Sequence, residues 1–154
     1  RGIPAFGLDS TPPGLMVTTF LGPNAGDIAS DTALQGDFDG DGFPDVAFSS
    51  PHGSPYGRTD AGKIHIIHGQ IGMWPPVVDL RWGQQPDPMD VRISEVYGVK
   101  SADVLAYSAD AGDHDGDGID DLIVNEMLGD GILPADANTG NLIVVSGTLI
   151  RDLP

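Results

Sequence analysis

The chain contains no cysteine, so no disulfide holds it together and its redox compartment cannot be read from thiol usage. Glutamate is nearly missing too: Glu95 and Glu126 are the two in 154 residues, and aspartate supplies the rest of the acid. Lysine and arginine number 7 against 23 acidic residues, a formal charge of −16, which leaves no basic cluster for nucleic acid or an anionic membrane surface. No run of 18 apolar residues exists, so membrane insertion is not expected. Apolar residues do not recur at helical spacing over any long stretch, and 22 glycines with 13 prolines interrupt helices. An all-β, turn-rich fold with little helix is therefore expected.

The residues of the common enzyme classes are equally scarce. No Gly-x-Ser-x-Gly elbow, phosphate-cradling loop or cysteine nucleophile is present. His65 and His68 stand three apart on an expected strand and point to opposite faces, the wrong arrangement for chelating one metal. Asp120, Asp121 and Glu126 offer carboxylates of the kind a glycosidase pairs, but surface turns and ligand support account for them better. The sequence reads as no enzyme.

What the chain does have is two nine-residue loops of one spacing, Asp-x-Asp-x-Asp-Gly-x-x-Asp, at residues 37–45 and 113–121. Calcium takes six to eight oxygens at roughly 2.3–2.6 Å, and carboxylates at alternate positions of a tight loop converge on one point. Asp37, Asp39, Asp41 and Asp45 would supply side-chain oxygens in the first loop, and Phe43 its backbone carbonyl. Asp113, Asp115, Asp117, Asp121 and the carbonyl of Ile119 would do so in the second. The two sites imply Ca²⁺ as the cofactor and would bring the charge from −16 to −12. An EF-hand needs a bidentate glutamate at its twelfth position and a helix behind it. Here that position is Phe48 or Val124, and each loop empties into an apolar, β-forming segment.

The loops mark a longer duplication. Asp113 stands 76 residues after Asp37, and the same offset carries Gly22 to Gly98, Asp27 to Asp103, Ile28 to Val104 and Gly36 to Gly112. Residues 15–22 lie over 91–98 in that register, and 61–69 resemble 139–147 after a two-residue insertion. The organisation expected is an arm over residues 1–14, a first unit over 15–90 and a second over 91–154.

That order of a Gly-ended strand, a short strand, Gly-Asp-x-Asp-Gly-Asp-Gly-x-x-Asp with an apolar strand, and a Gly-x-apolar-x-apolar segment resembles the FG-GAP repeat. FG-GAP repeats are the blades of integrin α-subunit β-propellers and their bacterial relatives. The resemblance covers most of residues 15–150, with departures at Ile28-Ala29-Ser30 and Val104-Leu105-Ala106, where the Phe-Gly signature is replaced. It implies tandem propeller blades built of two antiparallel sheets, calcium in the loops, and an extracellular or cell-surface location. Calcium loops of this type fill at roughly 10⁻⁴ to 10⁻³ M, as outside cells. The start at Arg1 fits a processed secreted product or an excised fragment.

Two blades are too few to close a propeller, which needs about four to eight. The expectation is a homo-oligomer or polymer in which other chains, or strand exchange, complete the propeller. Residues 15–21 are homologous to the strand that would follow the second unit, so they are candidates to complete a sheet begun by residues 104–153, in a neighbour or in the same chain. The function expected is structural self-assembly or adhesion. The competing reading is a fragment of a large secreted protein whose propeller binds a protein or carbohydrate ligand, with Trp74 and Trp82 either packing between blades or forming an aromatic patch.

Overall fold

A computed structural model describes residues 7–8, 13–81, 91–133 and 137–153. Most of the 1–14 arm and Trp82 lie outside the described residues. The strands are β1 (Thr19–Leu21), β2 (Ala33–Gly36), β3 (Asp45–Ser50), β4 (Lys63–Ile67), β5 (Val77–Asp79), β6 (Ile93–Tyr97), β7 (Leu105–Gly112), β8 (Asp121–Glu126) and β9 (Asn141–Val145). A 3-10 turn at Pro55–Gly57 and a short helix, α1 (Gly147–Arg151), complete the described elements. The architecture is nearly all β, with antiparallel sheets of propeller-blade type and no closed propeller among the described residues.

Each Asp loop ends where an apolar strand begins, Val46-Ala47-Phe48 in β3 and Leu122-Ile123-Val124 in β8, and these become the middle strands of two sheets. The first sheet has the antiparallel order β2-β3-β4-β6 and the second β7-β8-β9. β6 begins beyond residue 90 yet pairs with β4, His65 opposite Glu95, so the second sequence unit contributes its first strand to the first sheet. β1 does not join the second sheet of its own chain. It pairs in parallel with β5, Phe20 opposite Val78. Residues 149–153, whose sequence resembles the β5 segment, instead form the end of α1 and its exit.

Strand alternation gives each sheet two apolar faces. Ala47, Ile64 and Ile66 lie on the leading face of the first sheet, all fully buried against Leu105, Leu122 and Val124 on the trailing face of the second. The trailing face of the first sheet, with Phe48 and Ile67, is covered by Phe20, Trp74 and Val78 from the β1 and β5 region. Phe20 meets Phe48 at 5.9 Å and Trp74 edge-on at 5.6 Å between ring centroids. Trp74 Nε1 donates to the His68 carbonyl at 3.0 Å, so this indole is tied into the packing of the first sheet.

Backbone strain repeats with the sequence. Ile28 and Val104 have φ of 53° and 55°, and Ser30 and Ala106 have 65° and 62°. A left-handed conformation is costly for a residue with a Cβ and most so for a β-branched one. These are the positions where the Phe-Gly signature is replaced, so the loop keeps a left-handed backbone without the glycine that would relieve it.

Candidate metal centres

The two Asp loops adopt one conformation, fixed by five matched hydrogen bonds. In the first, Gly42 N–H donates to Asp37 Oδ2 (3.0 Å), Asp41 N–H to Asp39 Oδ1 (3.2 Å) and Phe43 N–H to Asp41 Oδ1 (2.8 Å). In the second, Gly118 N–H donates to Asp113 Oδ2 (3.1 Å), Asp117 N–H to Asp115 Oδ1 (3.1 Å) and Ile119 N–H to Asp117 Oδ1 (2.9 Å). Glycine is required at two positions of each loop, since φ is 71° and 86° at Gly40 and Gly42 and 81° and 87° at Gly116 and Gly118.

The ninth residue closes each loop onto its blade. Asp45, fully buried, accepts from Phe38 N–H (2.9 Å) and Gly69 N–H (2.7 Å). Asp121, also buried, accepts from His114 N–H (3.1 Å) and Gly147 N–H (3.0 Å). The loop is thereby bound to the strand that precedes Gly69 or Gly147, which the sequence spacing does not reveal.

This folding gathers one carboxylate oxygen each from Asp37, Asp39 and Asp41 within 4.8 Å of one another, and likewise from Asp113, Asp115 and Asp117. Both triads fit a hard divalent cation. The acceptors are all carboxylate oxygens, and Asp37 Oδ1 is buried without a hydrogen-bond partner, which is costly unless an ion engages it. Asp45 belongs to a neighbouring group with Asp39 and His68. Phe43 is 37% exposed at the loop rim, whereas Ile119 is buried against Gly40 of the first loop.

Four further residues complete these sites: Arg92 and Thr148, which the sequence did not flag, Asp120, which it read as turn or ligand support, and His68, which it set aside as a chelator paired with His65. His68 Nδ1 lies 3.0 Å from Asp39 Oδ2 and 3.5 Å from Asp45 Oδ2, and its Nε2 lies 2.9 Å from Ser94 Oγ. Arg92 Nη1 also reaches Asp39 Oδ2, at 2.8 Å, from the start of β6. Asp120 Oδ2 accepts from Asp37 N–H at 2.8 Å and so ties the second loop to the first. Thr148 Oγ1 donates to Asp117 Oδ2 at 2.8 Å, which with the Ile119 N–H holds the Asp117 carboxyl below its ordinary range. His68 aligns with Ser146 and Asp120 with Pro44, so duplication gave no signal for either. His114, by contrast, is exposed, as its place in the motif suggests.

Residues 31–67, which contain β2, the first Asp loop, β3 and β4, match the family model of the FG-GAP repeat. No curated protein matches the chain. No helix among the described residues is long and apolar enough to cross a membrane.

Proposed function

We propose that this chain, which carries an FG-GAP repeat at residues 31–67, is a calcium-stabilised structural module of an extracellular or cell-surface assembly, joined to further copies of itself. The observation that supports the reading most is the pair of Asp triads held in one loop conformation at the same place in two successive blades. Asp37, Asp39 and Asp41, and Asp113, Asp115 and Asp117, would hold the ions, with the carbonyls of Phe43 and Ile119 as additional oxygens. Asp45 and Asp121 would hold the loops in shape through their backbone hydrogen bonds while keeping lone pairs free. Bound calcium neutralises carboxylates that otherwise repel one another, so its role is to fix the loops rather than to do chemistry.

Light scattering and thermal melting, each with millimolar calcium and again with excess chelator, test this reading. An ion at ten times its dissociation constant stabilises the folded state by about 1.4 kcal/mol per site. Two sites together are then worth about 3 kcal/mol, or roughly 6–11 °C in melting temperature for a chain of this size. The expected result is a multimer in calcium that melts lower and disperses in chelator, with Asp41→Ala and Asp117→Ala each reproducing part of the loss. A monomer whose melting ignores calcium would sink the proposal.

A second reading, that the blades belong to a larger protein and present a protein or carbohydrate ligand, has one observation in its favour. Phe43, Pro44, Met73 and Trp74 line an open cleft of about 180 Å³ beside the first loop. Ligand pockets commonly enclose roughly 300–1,000 Å³, and the Trp74 indole is already engaged with Phe20 and the His68 carbonyl, so structural packing is favoured.

A further inference from the structure

Among the described residues the second sheet has one strand fewer than the first, and the repeat equivalent of β6, the fourth strand of the first sheet, is the segment that contains β1. In the first sheet, β6 covers the edge of β4. By the internal repeat β4 corresponds to β9 and residues 93–97 correspond to 17–21. Among the described residues β9 has β8 as its sole partner and β1 has β5. β5 lies where a segment of the second unit runs beside β6: Arg92 Nη2 there donates to the Arg151 carbonyl at 2.8 Å, and Leu153 lines a cleft with Ile93, Ser94 and Glu95. The edge of β1 turned away from β5 thus matches the edge with which β6 meets β4.

The faces agree with the edges. Ala47, Ile64 and Ile66 are fully buried between the sheets, whereas their repeat equivalents Leu142 and Val144 are 73% and 56% exposed, on the side of the second sheet that also carries Ile123. The loops repeat the contrast. Ile119 fills the space over Gly40, where an added Cβ would lie 2.9 Å from its Cγ1, but nothing lies within 4 Å of the equivalent position on Gly116. The residue equivalent to Ile119 is Phe43, which is 37% exposed beside Met73 and Trp74.

Edge strands are ordinarily guarded by charge, proline or a bulge. In a chain of 23 acidic and 7 basic residues, neither 15–22 nor 141–147 contains a charge or a proline. We infer that β9 and the exposed leading face of the second sheet receive β1 of a second copy of this chain, head to tail, together with the part of that copy's first-sheet trailing face, at Ala33, Gln35 and half-buried Val46, that its own β1, β5 and Trp74 do not cover. The inference rests on the self-assembly reading above and specifies its interface. The register follows from β4 and β6: Leu142 lies opposite Phe20, Ile143 opposite Thr19 and Val144 opposite Thr18. Such a contact is heterologous and leaves the same two surfaces free at the ends of every dimer. It therefore propagates to a ring of six or eight blades from three or four copies, or to a filament where the rotation does not close.

Because the chain lacks cysteine, each engineered thiol is unique. Directly opposed antiparallel residues lie about 4.5–5.5 Å apart at Cα, within disulfide range, and residues displaced by two positions do not. Thr18→Cys and Val144→Cys proteins mixed in calcium under mild oxidation are expected to give a disulfide-linked heterodimer, and Thr18→Cys with Leu142→Cys little of it. Val144→Asp, at an exposed position, is expected to keep the folded monomer's spectrum and lose the multimer by light scattering. A calcium multimer that forms no 18–144 disulfide, or that survives Val144→Asp, overturns this interface but leaves the self-assembly reading standing. A monomer at every concentration overturns both.

Discussion

In the first loop Asp39 lies beside both His68 and Arg92, and the loop is wedged into the core by Phe38, which is fully buried. In the second loop Asp113, Asp115 and Asp117 are all exposed, none forms an ion pair among the described residues, and His114 at the place of Phe38 faces solvent. One local hydrogen-bond pattern thus operates in two electrostatic settings. The first loop carries part of its own counter-charge and draws stability from the packing between the sheets. The second has no such counter-charge among the described residues and is held from another element through Thr148 and the Gly147 N–H.

Truncating the residue that differs most sharply between the loops should break the comparison most visibly. Phe38→Ala removes a fully buried ring and is expected to cost about 3–5 kcal/mol in denaturant unfolding, against less than about 0.5 kcal/mol for His114→Ala. Comparable losses would mean that the second loop is packed as tightly as the first. Replacing the closing carboxylates asks what the loops share. Asp45→Asn and Asp121→Asn each turn one accepting oxygen into a donor facing a backbone N–H, and each should cost about 1–3 kcal/mol with or without calcium. A cost that disappears in chelator would make these residues ligands first and loop closures second.

The fourth strand of the first sheet offers a smaller contrast, since the second sheet has none among the described residues. Burial pushes the Glu95 carboxyl up, but hydrogen bonds from His65 and Tyr97 and the charges of His65 and Lys63 hold it below its ordinary value of 4.5. A lowered acid stabilises the fold above its unfolded-state value and loses that contribution as pH falls through the folded-state value. Glu95→Gln should therefore cost about 1–2 kcal/mol at neutral pH, with the gap from the parent closing below about pH 4.5. A gap that persists unchanged in acid would assign the effect to packing. The smallest expected change is a gain. Ser30 is exposed with φ of 65°, and Ser30→Gly should raise stability by about 0.5 kcal/mol, the relief of left-handed strain less the entropy that glycine loses on folding. Ala106→Gly, at the matched φ of 62°, should gain less or nothing because Ala106 is fully buried and its methyl packs in the core.

Short-range spacing makes much of this protein legible in its sequence. Aspartates at alternate positions with glycine at the sixth can form a tight loop on local geometry alone, and Val46-Ala47-Phe48 and Leu122-Ile123-Val124 can hardly be other than strands. His68, Arg92 and Thr148 were not legible, because each reaches its loop from another segment, Arg92 from 53 residues away, and no local pattern marks such a contact. Leu149-Ile150-Arg151 resembles the β5 segment in sequence. It forms a helix because Ile150 is drawn wholly into the core between the sheets.

The sequence by itself determined the duplication, the all-β class and the shape of both Asp loops, since each depends on residues within one turn or one strand of each other. Tertiary structure decided the partnerships: β6 joins the first sheet across the repeat boundary, β1 lies beside β5, and Ile28 and Val104 are held left-handed. Strand edges present the same N–H and C=O groups whatever the side chains. Which edges meet is settled by the faces that must be buried together, and that is a property of the assembled sheets.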